Sequence, residues 1–215
     1  MSARLTIAAK APLPGRVKTR LARAIGDEAA VALYRAFLAD LGDRFPEAAW
    51  FVDPLPAWLH AYPGSRAFAQ PAGDWTKRQR AFFRDAAERG QDRAVLVASD
   101  SPQLRAETVV EAFALLRLHD VVVGPVTDGG YYLLGMRGWH DILAGVEMST
   151  GDVLSSLLAA ARLRGLRPAL LEPTYDVDEL ADLEQLRRDA AVRADLPATR
   201  AALGLLAPIG AGMAA

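Results

Sequence analysis

The chain has 215 residues, 25 Lys and Arg against 26 Asp and Glu, a formal net charge of -1 and no Cys. At this length one core can form without the help of a metal or a disulfide, and the lack of Cys excludes thiol nucleophiles, disulfides and Cys-ligated metal centres. The near-zero net charge excludes a general attraction to nucleic acid or to an anionic membrane surface.

Neither end of the chain has a pattern typical of a signal peptide or a membrane span. Lys10 and Pro12 interrupt the apolar start, and the uncharged stretch 201–215 is too short to cross a bilayer. We therefore expect a cytoplasmic protein without a membrane span, made of a single domain over residues 1–207 and a flexible tail over residues 208–215. The sequence leaves the oligomeric state open, with a homodimer among the options.

Hydrophobic patterning predicts an α/β fold in which strands and helices alternate. Short apolar runs predict buried strands, in chain order RLTIAAKA, AWFVD, RAVLVASD, HDVVVGP and RPALLEP. Apolar residues spaced three and four apart predict helices, in chain order VALYRAFLADLGDRF, WTKRQRAFFRDAAERG, AETVVEAFALLRLH, TGDVLSSLLAAARLRG and DELADLEQLRRDAA. The segment Gly130–Gly135 follows VVVGP after a turn too short for a helical crossover, so we expect it to run antiparallel. The pattern therefore predicts a mixed, mainly parallel sheet with helices on both faces.

A basic loop follows the first predicted strand, at the end of the sheet where ligands of such folds bind. The segment 10–20, KAPLPGRVKTR, leads to a helix expected to begin near Val17, and the first 26 residues include six basic and no acidic side chains. Backbone N–H groups and charged side chains of this loop suit a phosphate or pyrophosphate. The alternative is that the basic side chains form a solvated helix face. The candidate phosphate ligands are Lys10, Gly15, Arg16, Lys18 and Arg20.

Acidic residues follow two other predicted strands. Asp100 ends the third strand, and Asp176 and Asp178 lie two residues apart, on the same side of an extended segment. Mg²⁺ takes one or two protein carboxylates and completes its coordination with water and phosphate oxygens. A metal at Asp100 with a second carboxylate from this pair is one interpretation. The alternatives are that Asp100 or Ser101 caps the helix after it and that Asp178 caps its own helix.

A third candidate segment is the turn that begins at Asp128. Gly129 and Gly130 permit positive φ angles and close approach of the backbone to a ligand, and Asp128 suits a hydroxyl or basic group of an acceptor. The alternative is a tight strand-to-strand turn that needs no ligand. Tyr131 and Tyr132 should face opposite sides of their strand, so at most one lines a site.

Together these segments resemble the GT-A-type nucleotide-diphospho-sugar transferase superfamily. The resemblance is strongest to its bacterial glycosyltransferase A family, a domain of unknown function associated with radical SAM and selenodomain proteins. It covers about residues 5–186, and its motifs are KAPLPGRVKTRLARAIG, QPAGDWTKRQRAF, SDSPQL, TDGGYYLLG, MSTGDVL and DVDELADL. More distantly, the chain is similar to molybdopterin and phospholactate guanylyltransferases. The resemblance implies a three-layer, Rossmann-like GT-A fold.

The resemblance also implies roles for individual residues. It places Lys18 and Arg20 on the phosphates and Asp74 in the nucleotide site, with Asp100 and Asp178 as ligands of Mg²⁺ or Mn²⁺. It places Lys18, Asp100 and Asp128 in the catalytic machinery. The acceptor would lie against Asp128, Gly129, Gly130 and Tyr131. The chain departs from the family pattern at residues 73–78, which read GDWTKR in place of Gly-Asp-Leu-Gly-Glu-Arg, and at Met148, where Trp is common.

Three functions follow as expectations, each with a nucleotide donor and a small-molecule acceptor or ligand as partners. The leading prediction is metal-dependent glycosyl transfer from a nucleotide-diphospho-sugar, which the family label favours. The alternative is nucleotidyl transfer, such as guanylyl transfer, from a nucleoside triphosphate to a small phosphorylated or carboxylated acceptor. The single acid in Ser99-Asp100-Ser101 favours this second reaction. A non-catalytic nucleotide-binding protein is the third.

Overall fold

The computed structural model describes residues 2–56, 66–148 and 150–206. The tail predicted over residues 208–215 lies outside this range. The chain forms two compact units, each assembled from separated segments. The sheet unit comprises Met1–Ala9, Glu47–Ala98 and Arg105–Tyr175, and the helical unit comprises Lys10–Pro46, Ser99–Leu104 and Asp176–Ala215. The expectation of a single domain over residues 1–207 stays a prediction.

Seven strands form one sheet in the order β3-β2-β1-β4-β6-β5-β7. Their bounds are β1 Ser2–Lys10, β2 Ala49–Asp53, β3 Ala67–Ala69, β4 Gln91–Ala98, β5 Val121–Pro125, β6 Tyr131–Arg137 and β7 Pro168–Leu170. β1 pairs in parallel with β4, β2 with β3, and β5 with β7, whereas β6 runs antiparallel to both β4 and β5. These pairings confirm the prediction of a mixed, mainly parallel sheet. They also confirm that the segment Gly130–Gly135, which lies in β6 apart from its first residue, runs antiparallel. Among the described strands, β3 was not predicted, because its three residues do not belong to a longer apolar run.

The described residues contain seven helices. They are α1 Thr19–Ile25, α2 Asp27–Arg44, α3 Trp75–Glu88, α4 Ala106–Leu115, α5 Val153–Leu163, α6 Leu180–Val192 and α7 Pro197–Leu205. In the part of the chain that the structure describes, no helix is long and apolar enough to cross a membrane.

The sheet unit buries its core between strands and three helices. α3 and α4 pack on β4, and α5 packs on β7. Phe82 and Phe83 of α3 contact each other edge to face in a core that also includes Leu134 and Met136 of β6. Burial of this apolar surface is the main stabilising term for the sheet.

The helical unit is held together by α2. α2 packs against α1 and α7, and α7 packs against α6. Asp40 of α2 is buried, and its carboxylate accepts the backbone N–H groups of Ala198 and Thr199 at 2.9 and 2.8 Å. A side chain from another helix thus satisfies the first turn of α7, where Pro197 occupies a position that donates no hydrogen bond. The sequence patterns above did not include α7, whose capping acceptor comes from a distant helix.

Candidate functional site

Lys18 has an unusual backbone conformation at the start of α1. Its φ of 47° and ψ of 41° lie in the left-handed region, and no other non-glycine residue has a positive φ in the part of the chain described. Such a conformation costs about 1 to 3 kcal/mol and persists only where surrounding contacts enforce it. α1 begins at Thr19, two residues later than predicted.

The ammonium group of Lys18 contacts two carboxylates of the helical unit. Its Nζ lies 3.2 Å from Oδ1 of Asp178 and forms a shorter ion pair with Oδ1 of Asp100. The Lys18 side chain is 2% exposed, whereas those of Asp100 and Asp178 are 45% and 46% exposed. Burial favours the neutral amine, but the charges of Asp100 and Asp178 outweigh it, so the pKa of Lys18 lies above its ordinary value. The site therefore presents two accessible carboxylates on a buried cation.

Local helix chemistry leaves the Asp178 carboxylate available for this contact. Glu179 is the N-cap of α6 and forms a capping box with Asp182. The Asp182 carboxylate accepts the backbone N–H groups of Asp178 and Glu179 at 2.9 and 2.7 Å. The alternative interpretation of Asp178 as the helix cap is therefore wrong. Arg105 is the N-cap of α4, so Asp100 and Ser101 do not fill that position.

Asp176 adds a third carboxyl group to the same cluster. Ser101 donates its hydroxyl to Oδ1 of Asp176 in a short hydrogen bond. Burial raises the pKa of Asp176 to about 7, with the Ser101 hydrogen bond opposing the shift and the charge of Asp100 adding to it. Even with Asp176 protonated, the carboxylates of Asp100 and Asp178 outnumber the single ammonium of Lys18. The cluster thus retains a net negative charge.

Tyr34 of α2 fixes the end of β1 and the loop after β4. Its buried hydroxyl lies 2.7 Å from the Ser99 hydroxyl and accepts the backbone N–H of Lys10 at 3.1 Å. Burial and the charge of Asp100 raise the pKa of Tyr34 to about 12. Tyr34 therefore stays neutral at physiological pH and positions residues on both sides of the site.

Two arginines hold the loop that carries Asp100. Arg44 donates to the carbonyl oxygens of Pro102 and Leu104 at 2.7 and 2.8 Å, and Arg193 donates to the carbonyl oxygen of Gln103. Asp195 pairs with both guanidinium groups, and hydrogen bonds from Arg193 lower its pKa to about 2. Sequence reasoning missed Tyr34, Arg44 and Arg193, because no local motif marks a residue that acts on a distant loop.

The remaining candidates of the basic loop differ from Lys18 in their exposure. Lys10, Arg16 and Arg20 have exposed side chains, and Gly15 has a φ of 69° that favours glycine. The alternative of a solvated basic face therefore stays open for the three exposed residues and is excluded for Lys18. Their contact with phosphate stays a prediction.

The Asp128 turn belongs to the sheet unit and joins β5 to β6. The Asp128 carboxylate accepts the backbone N–H of Gly130 at 3.0 Å, as in a tight turn. Gly129 has a φ of 92°, and a Cβ atom there would lie 2.1 Å from the carbonyl oxygen of Gly151. The turn interpretation is thus confirmed, and its geometry requires glycine at position 129. The acceptor role of this turn stays a prediction.

Two further predictions concern the sheet unit. The hydroxyl of Tyr131 donates to Gln79 of α3 at 2.9 Å, and that of Tyr132 donates to the carbonyl oxygen of Glu172 at 3.0 Å, as expected for adjacent residues on opposite faces.

Asp74 is the N-cap of α3 and accepts the backbone N–H of Lys77 at 2.8 Å. That hydrogen bond lowers the pKa of Asp74. Its role in nucleotide binding stays a prediction.

Comparison with known proteins identifies relatives over most of the chain. Residues 28–150 match the model of a family described as "Uncharacterized protein conserved in bacteria (DUF2064)". The chain is 32% identical over 203 residues to a 3-phospho-D-glycerate guanylyltransferase of Phenylobacterium zucineum (strain HLK1), and the match covers 83% of this chain and 90% of that protein.

Solved structures resemble the whole fold. A protein of Desulfovibrio desulfuricans G20, provisionally assigned as a nucleotide-diphospho-sugar transferase, superimposes with a TM-score of 0.87 at 30% identity, over 95% of both chains. A cytidylyltransferase of Leptospira borgpetersenii serovar Hardjo-bovis (strain JB197) gives a TM-score of 0.54 at 13% identity, over 95% of this chain and 93% of that one. The Rossmann-like fold predicted from the sequence is confirmed, and the chain belongs to the DUF2064 family.

Proposed function

We propose that this protein transfers a guanylyl group from GTP to a small phosphorylated acid, assisted by Mg²⁺ or Mn²⁺. The observation that carries the proposal is the convergence of Asp100 and Asp178 on Lys18, beside a loop with three exposed basic side chains. The relative from Phenylobacterium, similar over 90% of its length, is a guanylyltransferase for 3-phospho-D-glycerate and supports this choice of donor and acceptor class.

The donor set of the site fits a hard divalent cation. Among the described residues no group of three or more His, Cys, Asp or Glu side chains is placed to hold a metal by itself. Mg²⁺ does not need such a group, because it binds through one or two carboxylates and takes water and substrate phosphate oxygens as its other ligands. Asp100 and Asp178 would hold the ion, since one oxygen of each already contacts a single cationic atom. A bound metal would neutralise charge on the reacting phosphates.

The proposed reaction is a displacement at the α-phosphorus of GTP. An ionised phosphate oxygen of the acceptor forms a bond to that phosphorus, and the bond from the α-phosphorus to the bridging oxygen breaks. Pyrophosphate leaves with the electron pair. A phosphomonoester has its second pKa near 6, so the attacking oxygen is already ionised at pH 7 and needs no general base.

The residues of the chain contribute by position and charge. Lys18 and Arg20 would contact the phosphates, in which case their positive charge stabilises the leaving pyrophosphate. Tyr34 and Ser99 hold the segment next to Asp100, so that the carboxylate keeps one orientation. No covalent intermediate with the protein is required.

Glycosyl transfer from a nucleotide-diphospho-sugar is the second candidate. It was the leading expectation from the sequence, and the similarity to the Desulfovibrio structure favours it. The same two carboxylates and basic loop would then hold a nucleoside diphosphate as the leaving group. Guanylyl transfer is the stronger proposal, since it rests on a relative named for that reaction.

The test is an assay of pyrophosphate release. Purified protein is incubated with Mg²⁺, one nucleoside triphosphate and 3-phosphoglycerate, phosphoenolpyruvate or phospholactate, and parallel reactions contain nucleotide sugars with the same acceptors. We expect pyrophosphate only with GTP and a phosphorylated acid, and its loss in Asp100→Asn and Asp178→Asn. Asp43→Asn, an exposed residue of α2, is the matched control and should keep wild-type activity. Sugar transfer without pyrophosphate would replace the proposal, and nucleotide binding without any product would indicate a non-catalytic protein.

A further inference from the structure

The Lys18 ammonium contacts both carboxylates that are proposed to bind the metal. We propose that the Lys18 ammonium occupies the cation position of the nucleotide-free protein and competes with the metal for Asp100 and Asp178. The metal then gains both carboxylates only when nucleotide phosphates draw the ammonium away. This inference rests on the metal site of the proposed function and adds an order of binding to it.

The Lys18 ammonium contacts the same carboxylates that are proposed to hold the metal. Lys18 Nζ contacts Oδ1 of Asp100 and Oδ1 of Asp178 simultaneously, which is the arrangement expected of a cation that bridges two carboxylates. A divalent ion bound to the same oxygens would lie close to the ammonium. A divalent ion repels a neighbouring ammonium twice as strongly as a second monovalent cation would, because the repulsion scales with the product of the two charges. The metal and Lys18 therefore exclude each other from this position.

The ammonium is held firmly when no nucleotide is bound. The Lys18 side chain is 2% exposed, and a buried charge that loses its partners carries a large free-energy cost. A free metal ion must meet this cost to displace Lys18. Free metal should accordingly bind weakly, although the carboxylates of Asp100 and Asp178 are nearly half exposed.

Nucleotide phosphates remove the cost of displacing the Lys18 ammonium. Lys18 belongs to the basic loop whose Arg16 and Arg20 side chains are exposed and able to attract a triphosphate. An ammonium that moves from carboxylate to phosphate oxygens exchanges one anionic partner for another. The left-handed backbone of Lys18 is also a less stable conformation that a new set of contacts can release. Metal and nucleotide would therefore bind together.

The experiment measures the metal alone. MnCl₂ is titrated into nucleotide-free protein, and free Mn²⁺ is followed by its electron paramagnetic resonance signal. Lys18→Met removes the charge and keeps most of the apolar stem, and Lys18→Arg keeps the charge. Arg23→Met, an exposed residue of α1, controls for the general loss of one positive charge. Lys18→Gln is a second neutral variant, for use if Lys18→Met does not fold.

We expect Lys18→Met to bind Mn²⁺ at least tenfold more tightly than the wild type, and Lys18→Arg and Arg23→Met to resemble the wild type. The double variant Lys18→Met with Asp100→Asn should lose the gain. Affinity for GTP in the presence of Mn²⁺ should fall in Lys18→Met. If Lys18 had a merely structural role, Lys18→Met would bind both Mn²⁺ and GTP more weakly. If Lys18 competes with the metal, the variant binds Mn²⁺ more tightly and GTP more weakly.

Different results would overturn the competition by Lys18 and the metal site itself. If Lys18→Met and Lys18→Gln bind Mn²⁺ no more tightly than the wild type, while wild-type GTP binding still requires Mn²⁺ and Asp100, competition by Lys18 is overturned and the metal site stands. If wild-type GTP binding is independent of Mn²⁺ and of Asp100, the metal site itself is wrong and the inference falls with it.

Discussion

Val177 donates its backbone N–H to the carbonyl oxygen of Asp100 at 3.0 Å. This bond joins the loop after β4 to the segment before α6, beside the two carboxylates that contact Lys18. Each of these two segments is also held by contacts of its own, from the arginines around Asp195 and from the capping box of α6. A backbone hydrogen bond thus joins the two segments that carry Asp100 and Asp178, and side chains outside the site hold each segment in place.

Arg44→Met should loosen the Asp100 loop. The variant loses both hydrogen bonds to the carbonyl oxygens of Pro102 and Leu104 and leaves Asp195 with one arginine. We expect a loss of about 2 to 3 kcal/mol in the free energy of unfolding, measured by urea denaturation. Metal-dependent GTP affinity should also weaken about tenfold, equivalent to about 1.4 kcal/mol. Arg35→Met, an exposed position on the same helix, should change neither quantity, and equal effects of both variants would contradict the prediction.

Tyr34→Phe tests the link between the end of β1 and the loop after β4. The variant keeps the packing of the ring and removes the hydroxyl that accepts from Lys10 N–H and bonds Ser99. We expect a loss of about 1 to 2 kcal/mol in the free energy of unfolding, because two polar groups lose a partner. Chemical denaturation measures it, and a stability equal to that of the wild type would show that water replaces the hydroxyl.

Asp182→Ala removes the capping box of α6 and the acceptor of the Asp178 backbone N–H. A lost cap of this kind costs about 1 kcal/mol, and we expect weaker metal-dependent GTP binding because Asp178 is no longer fixed. Glu184→Ala, an exposed change within the same helix, is the control. Isothermal titration of GTP with Mn²⁺ compares the two variants, and a full-affinity Asp182→Ala would contradict a positioning role.

Gly129→Ala should destabilise the sheet unit more than an ordinary substitution at positive φ. Gly129 and Gly138 have φ angles of 92° and 73°, but an added Cβ meets the Gly151 carbonyl oxygen at 2.1 Å at position 129 and open space at position 138. We expect Gly138→Ala to cost about 1 kcal/mol from its backbone alone. Gly129→Ala should lower the melting temperature by a clearly larger amount. Equal shifts in a thermal melt would mean that the neighbouring segment moves away freely.

Asp120 should contribute stability that is lost in acid. A hydrogen bond from the Arg167 backbone and contacts with the Arg137 and Arg167 side chains lower its pKa to about 2. Because the folded state binds this proton less tightly than the unfolded state, the contribution is complete above the ordinary pKa of 3.8 and falls as the pH drops towards 2. Asp120→Asn should therefore cost about 1 to 2 kcal/mol at pH 7 and nearly nothing near pH 2. Denaturation at both pH values checks this, and a constant difference would contradict it.

The sequence by itself determined the elements of this protein and the positions of several candidate ligands. Apolar runs and three- and four-residue spacing predicted six strands and five helices, because these periodicities express local geometry. A sixth helix was expected to begin near Val17. Lys18 and Asp100 were selected as candidates because each closely follows a strand in a fold that binds ligands at strand ends. Sequence reasoning missed β3, which has three residues, and α7, whose first turn is capped by Asp40 of α2.

Only the tertiary structure decided which of these residues meet. Lys18 and Asp178 are 160 residues apart in sequence, and their pairing depends on the course of the whole chain between them. The sequence left Asp178 between a helix cap and a metal ligand. The structure excludes the cap, because Glu179 and Asp182 cap α6, and the role as a metal ligand stays a prediction. The roles of Tyr34, Arg44 and Arg193 likewise depend on the tertiary structure. Their partners are atoms of distant loops, which no local pattern encodes.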